Sequence, residues 1–175
     1  MSDRPTTVFR VRDARPDDLE TVVAFNAALA SESESKQLDR EILTRGVRTA
    51  LGEPDRLRYW VAEAVETGQV IGQAAVSREW SDWRNGWIWW LQSVYVQPES
   101  RTQGVFRSLY AHIRDTARNA GDVVGLRLYV DDANRRAQRT YAAMGMAPGG
   151  YHVLEAMFPE GHGRRETGLL VSGEG

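Results

Sequence analysis

Residues 91–109 read LQSVYVQPESRTQGVFRSL, and the fold turns on how that stretch divides. The part through Val96 has the β-branched and aromatic residues of a buried strand. Pro98 ends it, a short polar loop with one glycine, Gly104, follows, and apolar residues return at helical spacing from Val105 onward. A strand that gives way to a helix through such a loop leaves the first N–H groups of the helix without intrahelical partners. Those groups lie at the positive end of the helix dipole. The arrangement is a cradle for an anion, phosphate above all.

Upstream, the run GWIWWLQSVYV from Gly86 is apolar on both faces, as a strand inside a sheet should be. Residues 58–65 (RYWVAEAV) and 70–77 (VIGQAAVS) read as strands joined into a hairpin by Thr67-Gly68-Gln69, and residues 80–85 as a polar, aromatic turn. Residues 8–12 alternate like a half-exposed strand. Arg15-Pro16-Asp17-Asp18 opens a helix that buries Leu19, Val22, Val23, Asn26 and Ala30. SESESK, residues 31–36, is a polar break, and a second helix carrying Leu38, Ile42, Val47, Ala50 and Leu51 ends at Gly52 and Pro54. Downstream of the loop, the helix with Val105, Phe106, Leu109, Tyr110, Ile113 and Ala117 on one stripe closes at Gly121. A strand over 124–130, a helix over 134–144 and a strand over 151–158 (YHVLEAMF) follow. The glycine-rich tail from Pro159 has room for a short strand at 168–171. No repeat or linker interrupts the chain, so one domain over residues 1–175 is expected, with its core over about 8–158 and the tail at 159–175. The order β-α-α-β-β-β-α-β-α-β predicts a mixed sheet: antiparallel hairpins first, then a parallel pair with a right-handed crossover, and helices on both faces.

Composition narrows the partners. The formal net charge is -2, from 22 basic and 24 acidic residues, which gives no basic excess for nucleic acid. Cysteine is absent, which excludes disulfides, thiolate metal sites and a cysteine nucleophile and fits a cytoplasmic protein. The three histidines, His112, His152 and His162, have no metal-ligand spacing, so no metal is expected. No apolar run approaches the roughly 18 residues of a membrane span, and the N-terminus has no signal-peptide core.

Three pieces, in order, resemble the GNAT family of N-acetyltransferases. They are V-Y-V-x-P (Val94, Tyr95, Val96, Pro98) followed by R-x-x-G (Arg101, Gly104); the strand VGLRLYV; and N-x-x-A-x-x-x-Y-x-x-x-G-M (Asn134, Ala137, Tyr141, Gly145, Met146). The family's loop continues to a Gly or Ala where this chain has Phe106. The resemblance implies an α+β, three-layer α/β/α fold whose mixed, mostly antiparallel sheet contains a splayed central parallel strand pair. It implies an N-acetyltransferase that uses acetyl-CoA as co-substrate. The N–H groups of Thr102, Gln103, Gly104, Val105, Phe106 and Arg107 would then hold the pyrophosphate, with Arg101 and Arg107 as nearby cations. The backbone of Val94, Tyr95 and Val96 would pair with the pantetheine arm and offer an N–H to the thioester carbonyl.

By the same resemblance Tyr141 gives the leaving thiolate its proton, and Asn134, with Ala137 on the same helix, binds the pantetheine arm. On spacing alone Tyr141 is a core residue one turn after Ala137. Some family members carry a glutamate base where this chain has Gln92, which cannot take a proton. Glu79, Asp82 and Glu155 are the other carboxylates that strand position offers, each also readable as a solvated surface group. A water chain is the alternative base. Gln92 and Ser93 either line the cleft or make core hydrogen bonds. Glu32 and Glu34 form an acidic lip for an amine or simply a solvated loop. The tryptophans at 80, 83, 87, 89 and 90 make either an aromatic substrate wall or core and dimer interface. The expected acceptor is a small-molecule primary amine attacked directly in a ternary complex. A protein lysine or N-terminus, and a non-catalytic acetyl-CoA-binding module, stand as alternatives. A homodimer is compatible with the pattern.

Overall fold

Hydrophobic alternation organises residues 58–96 into three successive antiparallel strands. In the computed structural model, which describes residues 7–158, these are β2 (Arg58–Ala64), β3 (Val70–Ser81) and β4 (Gly86–Val96). β1 (Phe9–Asp13) lies antiparallel on the outer edge of β2, and β5 (Val123–Leu128) lies parallel to β4. The sheet order is β1-β2-β3-β4-β5, the mixed, mostly antiparallel sheet that the sequence predicts. β3 runs four residues past the expected end at Ser77, and only residues 82–85 are left to turn. Cross-strand pairing explains the extension: Trp80 sits opposite Trp87 with ring centroids 5.1 Å apart.

Helices α1 (Leu19–Glu34) and α2 (Arg40–Gly52) cover one face. Val22, Val23 and Phe25 of α1 and Val47 and Ala50 of α2 pack with Tyr59, Val61, Val70, Ala75 and Tyr95. A single turn of 3-10 helix at Pro16–Asp18 leads into α1. The side-chain carboxylate of Asp39 accepts from the Ile42 N–H and caps α2. The polar break expected over 31–36 shrinks, because α1 stays helical through Glu34 and ends at Ser35 in the left-handed region. The other face belongs to α3 (Val105–Asn119), whose Leu109 and Ile113 are fully buried and whose His112 meets Trp60 edge-on at 6.1 Å. Spacing along the sequence puts His112 on the outer side of this helix; in the structure its ring meets Trp60 of the sheet.

Residues 131–158 form a separate compact unit. It holds α4 (Arg135–Ala143), capped by the Asn134 side chain, whose oxygen accepts from the Ala137 N–H at 3.0 Å. The strand expected over 151–158 is not formed: these residues have no regular structure and are exposed, with Leu154 at 93%. Alternation expresses a side-chain preference, and a strand needs a ladder partner that it does not find among the described residues. The short strand expected at 168–171 lies outside the described residues.

A half-buried charge network fastens β1 to β2 and to the entry of α1. Glu63 accepts from Arg10 at 2.7 Å and from Arg12 at 2.6 Å, and Arg12 also donates to Asp18 at 2.7 Å. Arg12, then Arg10, hold the Glu63 carboxyl below the ordinary carboxylate range. At Asp18, burial raises the carboxyl, but the Arg12 and Arg15 hydrogen bonds outweigh it and the net shift is downward. Carboxyls held below their unfolded values contribute stability that is complete above about pH 4 and is lost as pH falls through the folded values. Glu63→Gln is therefore expected to lower Tm at pH 7, with the gap to the parent closing in melts below about pH 4.

Candidate active site

The site is built where β4 loses one of its neighbours. Pairing of β4 to β5 runs from Trp87↔Val123 to Leu91↔Leu128 and stops, while β4 continues to Val96 on β3 alone. Past Leu91, the backbone groups of β4 that face away from β3 have no ladder partner on β5. The splay that the family resemblance implies at Val94–Val96 is thus present in the chain.

A β-bulge accompanies the parting. Gln73 sits opposite Tyr95 and Ala75 opposite Gln92, so Ser93 and Val94 together face Ala74. Ser93 takes a φ of 49°, uncommon for a residue with a side chain. A buried polar chain holds it there. Gln73, with no exposed surface, donates through Nε2 to the Ser93 carbonyl at 3.2 Å and to Asn26 Oδ1 at 2.7 Å, and Asn26 Nδ2 donates to the Tyr59 hydroxyl at 3.0 Å. Gln73 and Asn26 are the residues that pattern reading missed as site determinants. The available signal was a glutamine inside an otherwise apolar strand, VIGQAAV. Gln92 is half-buried, and its Nε2 donates to Ser77 Oγ at 2.5 Å.

The loop after β4 begins with a 3-10 turn at Pro98–Ser100 and ends at Gly104, the N-cap of α3, with φ 83°. A Cβ at Gly104 would meet nothing within 4 Å, so the left-handed backbone, and not crowding, requires glycine there. Gly104 offers no side-chain cap to the first turn of α3. That turn begins at Val105, whose Cγ1 lies 3.0 Å from where a Cβ on Gly72 would stand. Gly72 therefore sets how closely the start of α3 approaches the sheet. Phe106 lies along its own helix, its ring 6.3 Å from Tyr110. Gln103 ties the loop down by accepting from the Thr7 N–H and donating to the Glu99 carbonyl, both at 3.0 Å. Thr102, with φ 69°, donates its hydroxyl proton to the Arg101 carbonyl.

Arg101 does not stand as an unengaged cation. Its Nε donates to the Val96 carbonyl at 2.9 Å and its terminal nitrogen to Glu32 at 2.6 Å, with the guanidinium 5.5 Å from the Tyr95 ring centre. Tyr95 donates its hydroxyl proton to the same Glu32 at 2.9 Å. Arg101 holds the Glu32 carboxyl low, while burial and then Glu32 raise the Tyr95 phenol. Arg107 is exposed on the first turn of α3 and forms no ion pair among the described residues.

The carboxylates proposed as bases are placed as follows. Glu79 accepts from Trp90 Nε1 at 2.6 Å and from Arg127 at 3.0 Å, six residues along β3 from Gln73, which is roughly 20 Å at strand rise. Asp82 caps the hairpin turn by accepting from the Trp83 N–H. Neither converges on the splayed half of β4. Glu155 is exposed in the irregular segment. In the second unit, Tyr141 lies in the last turn of α4, half-buried, and burial pushes its phenol up from the ordinary value. Among the described residues no cluster of three or more acidic or histidine side chains could hold a metal, and no helix is long and apolar enough to cross a membrane.

A parted β4, a glycine-started helix and a short polar loop between them define an acyl-CoA-binding acetyltransferase class of fold. Residues 21–146 match the model of the Acetyltransferase (GNAT) family, and the chain belongs to that family. The co-substrate of that family, acetyl-CoA, is accordingly the co-substrate here, and the open edge of β4 with the Gly104–α3 junction fits it. A possible acetyltransferase from Clostridium difficile 630 is 38% identical over 87% of this chain and 99% of its own, with a TM-score of 0.80. A predicted acetyltransferase from Clostridium acetobutylicum, solved with acetyl-CoA, has 21% identity over 85% of this chain and 96% of its own, with a TM-score of 0.67. Glucosamine-6-phosphate N-acetyltransferase from Arabidopsis thaliana has 16% identity over 86% and 99%, with a TM-score of 0.65. Among curated proteins none matches.

Gln73→Leu removes the donor shared by Asn26 and Ser93. It is expected to cost about 1–3 kcal/mol, read from the urea midpoint. Gln73→Glu, which keeps the size but puts an acceptor against two acceptors, is expected to cost at least as much.

Proposed function

We propose that the chain is an acetyl-CoA-dependent N-acetyltransferase acting on the primary amine of a small molecule, and that it works as a single catalytic domain. The observation that carries this reading is β4 continuing past Leu91 without β5 and leading into the Gly104-started helix. In the proposal, the free backbone groups of Val94, Tyr95 and Val96 take the pantetheine arm. The N–H groups from Thr102 to Arg107 take the pyrophosphate, with Arg107 as the available cation. Arg101 acts by shaping the loop through Val96 and Glu32.

Bound acetyl-CoA supplies a thioester carbonyl carbon open to attack by a neutral amine. An N–H of the open β4 edge donates to the carbonyl oxygen as negative charge grows there, which lowers the barrier more than it favours the ground state. The new C–N bond forms, the C–S bond breaks, and Tyr141 gives its phenolic proton to the departing sulfur. With Glu79 and Asp82 far along the sheet and Glu32 held by Arg101, the proton leaving the amine passes to water. Asn134 spends its side-chain oxygen on capping α4, which leaves its amide nitrogen for the pantetheine arm.

The choice of a small molecule rests on charge. Glu32, half of the expected acidic lip, is neutralised by Arg101 and so offers little hold for the basic tail of a protein substrate.

Release of free thiol from acetyl-CoA, followed over a panel of small primary amines and lysine peptides, tests the reading. Turnover with small amines alone is expected; turnover with peptides alone would replace it with a protein acceptor. Tyr141→Phe should lower kcat by about 10²–10⁴, with KM for acetyl-CoA little changed, and parental turnover in this variant would remove Tyr141 from its role. Because burial raises the phenol, the alkaline fall in kcat that reports its ionisation should lie above about pH 10 and vanish in Tyr141→Phe. Gly104→Ala should raise KM for acetyl-CoA, since the cradle needs a left-handed residue there.

A further inference from the structure

The last pair between β4 and β5 is Leu91↔Leu128, and the side chains around the fork beyond it can be assigned to a face. Ala75 packs in the core beneath α1 and α2, Gln92 lies opposite Ala75, and Trp90 lies opposite Ser77. Trp90 and Gln92 therefore stand on the α1 and α2 side of the sheet, away from α3. Neither belongs to the core beneath those helices, and both are half-buried. Tyr129, one residue past the last pair, is 60% exposed.

The rings at the fork are held in place. Trp90 and Tyr129 have ring centres 4.5 Å apart and planes 30° apart. Trp90 Nε1 donates to Glu79 at 2.6 Å, and Glu79 also accepts from Arg127 at 3.0 Å. Glu79 and Arg127 neutralise one another and orient the Trp90 ring, so neither brings a free charge to the fork. Gln92 sits two residues along β4 from Trp90, with its Nε2 on Ser77 Oγ. Its Oε1 has no hydrogen-bond partner among the described residues. Gln92 thus presents a fixed, uncharged acceptor one residue beyond the last β4–β5 pair.

We propose that this fork is the acceptor subsite and that the acceptor is an arylalkylamine, a primary amine joined to a flat aromatic ring by a short alkyl spacer. The inference rests on the acetyltransferase reading and narrows its substrate. Gln92 Oε1 accepts an N–H of the amine, and the ring lies against the exposed side of Tyr129 beside Trp90. The two residues of strand from Gln92 to Trp90 span roughly 7 Å, which leaves room for a spacer of two or three carbons. A carboxylate at position 92 would favour the ammonium form, whose nitrogen has no lone pair for the thioester. A carboxamide accepts from the neutral amine without drawing a proton onto it. The uncharged fork thereby selects an apolar body over a polyamine or a peptide. Transfer leaves the acceptor as its acetamide and CoA as the free thiol.

The test compares 2-phenylethylamine with n-butylamine on the full chain. Thiol release from acetyl-CoA should show a kcat/KM for 2-phenylethylamine about tenfold or more above that for n-butylamine. Tyr129→Ala, at an exposed position where folding is retained, should cut that preference about two- to tenfold. Gln92→Leu should raise KM for both amines about two- to tenfold and keep the preference between them. A second arm needs no turnover. In the ¹⁵N-labelled chain with CoA present, the Trp90 indole N–H signal, assigned with Trp90→Phe, should shift saturably with 2-phenylethylamine and stay in place with n-butylamine. Equal kcat/KM for the two amines, a preference untouched by Tyr129→Ala, or an indole signal unmoved at millimolar 2-phenylethylamine would each overturn the proposal. A saturable indole shift without acetyl transfer to any amine would support the subsite and count against the acetyltransferase reading, so the two failures are distinguishable.

Discussion

One side-chain amide does much to decide the shape of the candidate site. Gln73 lies wholly inside the protein, and while its nitrogen is bonded, its side-chain oxygen has no hydrogen-bond partner among the described residues. It spends its nitrogen on the Ser93 carbonyl and on Asn26. That bond stabilises two residues of β4 opposite one of β3, and with it a serine at positive φ. The bulge bends and twists β4 just after its last pair with β5. The anchor is itself anchored, since Asn26 comes from α1 and bonds the hydroxyl of Tyr59 on β2. One helix and three strands thus converge on one irregularity, in keeping with strain at functional sites being held by its surroundings.

A second set of contacts ties the same helix to the loop between β4 and α3. Glu32, in the last turn of α1, gathers the Tyr95 hydroxyl and the Arg101 guanidinium, and Arg101 reaches back to the Val96 carbonyl. Extension of α1 through SESE, where a break was expected, is what carries Glu32 to this position. The loop is therefore braced by side chains at its start and by Gln103 contacts in its middle, while the start of α3 stays open at Gly104.

Much of this was legible in the sequence. The run from Gly86 to Val96, the loop and the helix from Val105 to Asn119 fall where hydrophobic period and the turn residues put them. The helix from Asn134 was equally readable, and α4 falls within it; the cap that Asn134 makes was not part of that reading. What pattern could not give was long-range. That Gln73 would meet Ser93, 20 residues on, depends on strand register. That Arg101 would be engaged by Glu32, 69 residues away, depends on how α1 packs. Residues 151–158 failed in the opposite direction: their alternation is good, yet β structure needs a partner as well as a pattern.

The bulge also changes how β4 must be read as a message. Before it, Trp89 lies opposite Arg78 and meets Trp60 on the face that α3 covers. After it, Tyr95 lies opposite Gln73 and packs on Phe25 of α1, although 89 and 95 are both odd positions. One extra residue has exchanged the two faces midway along a continuous strand. A single odd–even rule applied to the whole run assigns one half of it to the wrong side. GWIWWLQSVYV, which looks apolar on both faces, is two alternating phrases joined out of phase, and the join is where the strand leaves its neighbour.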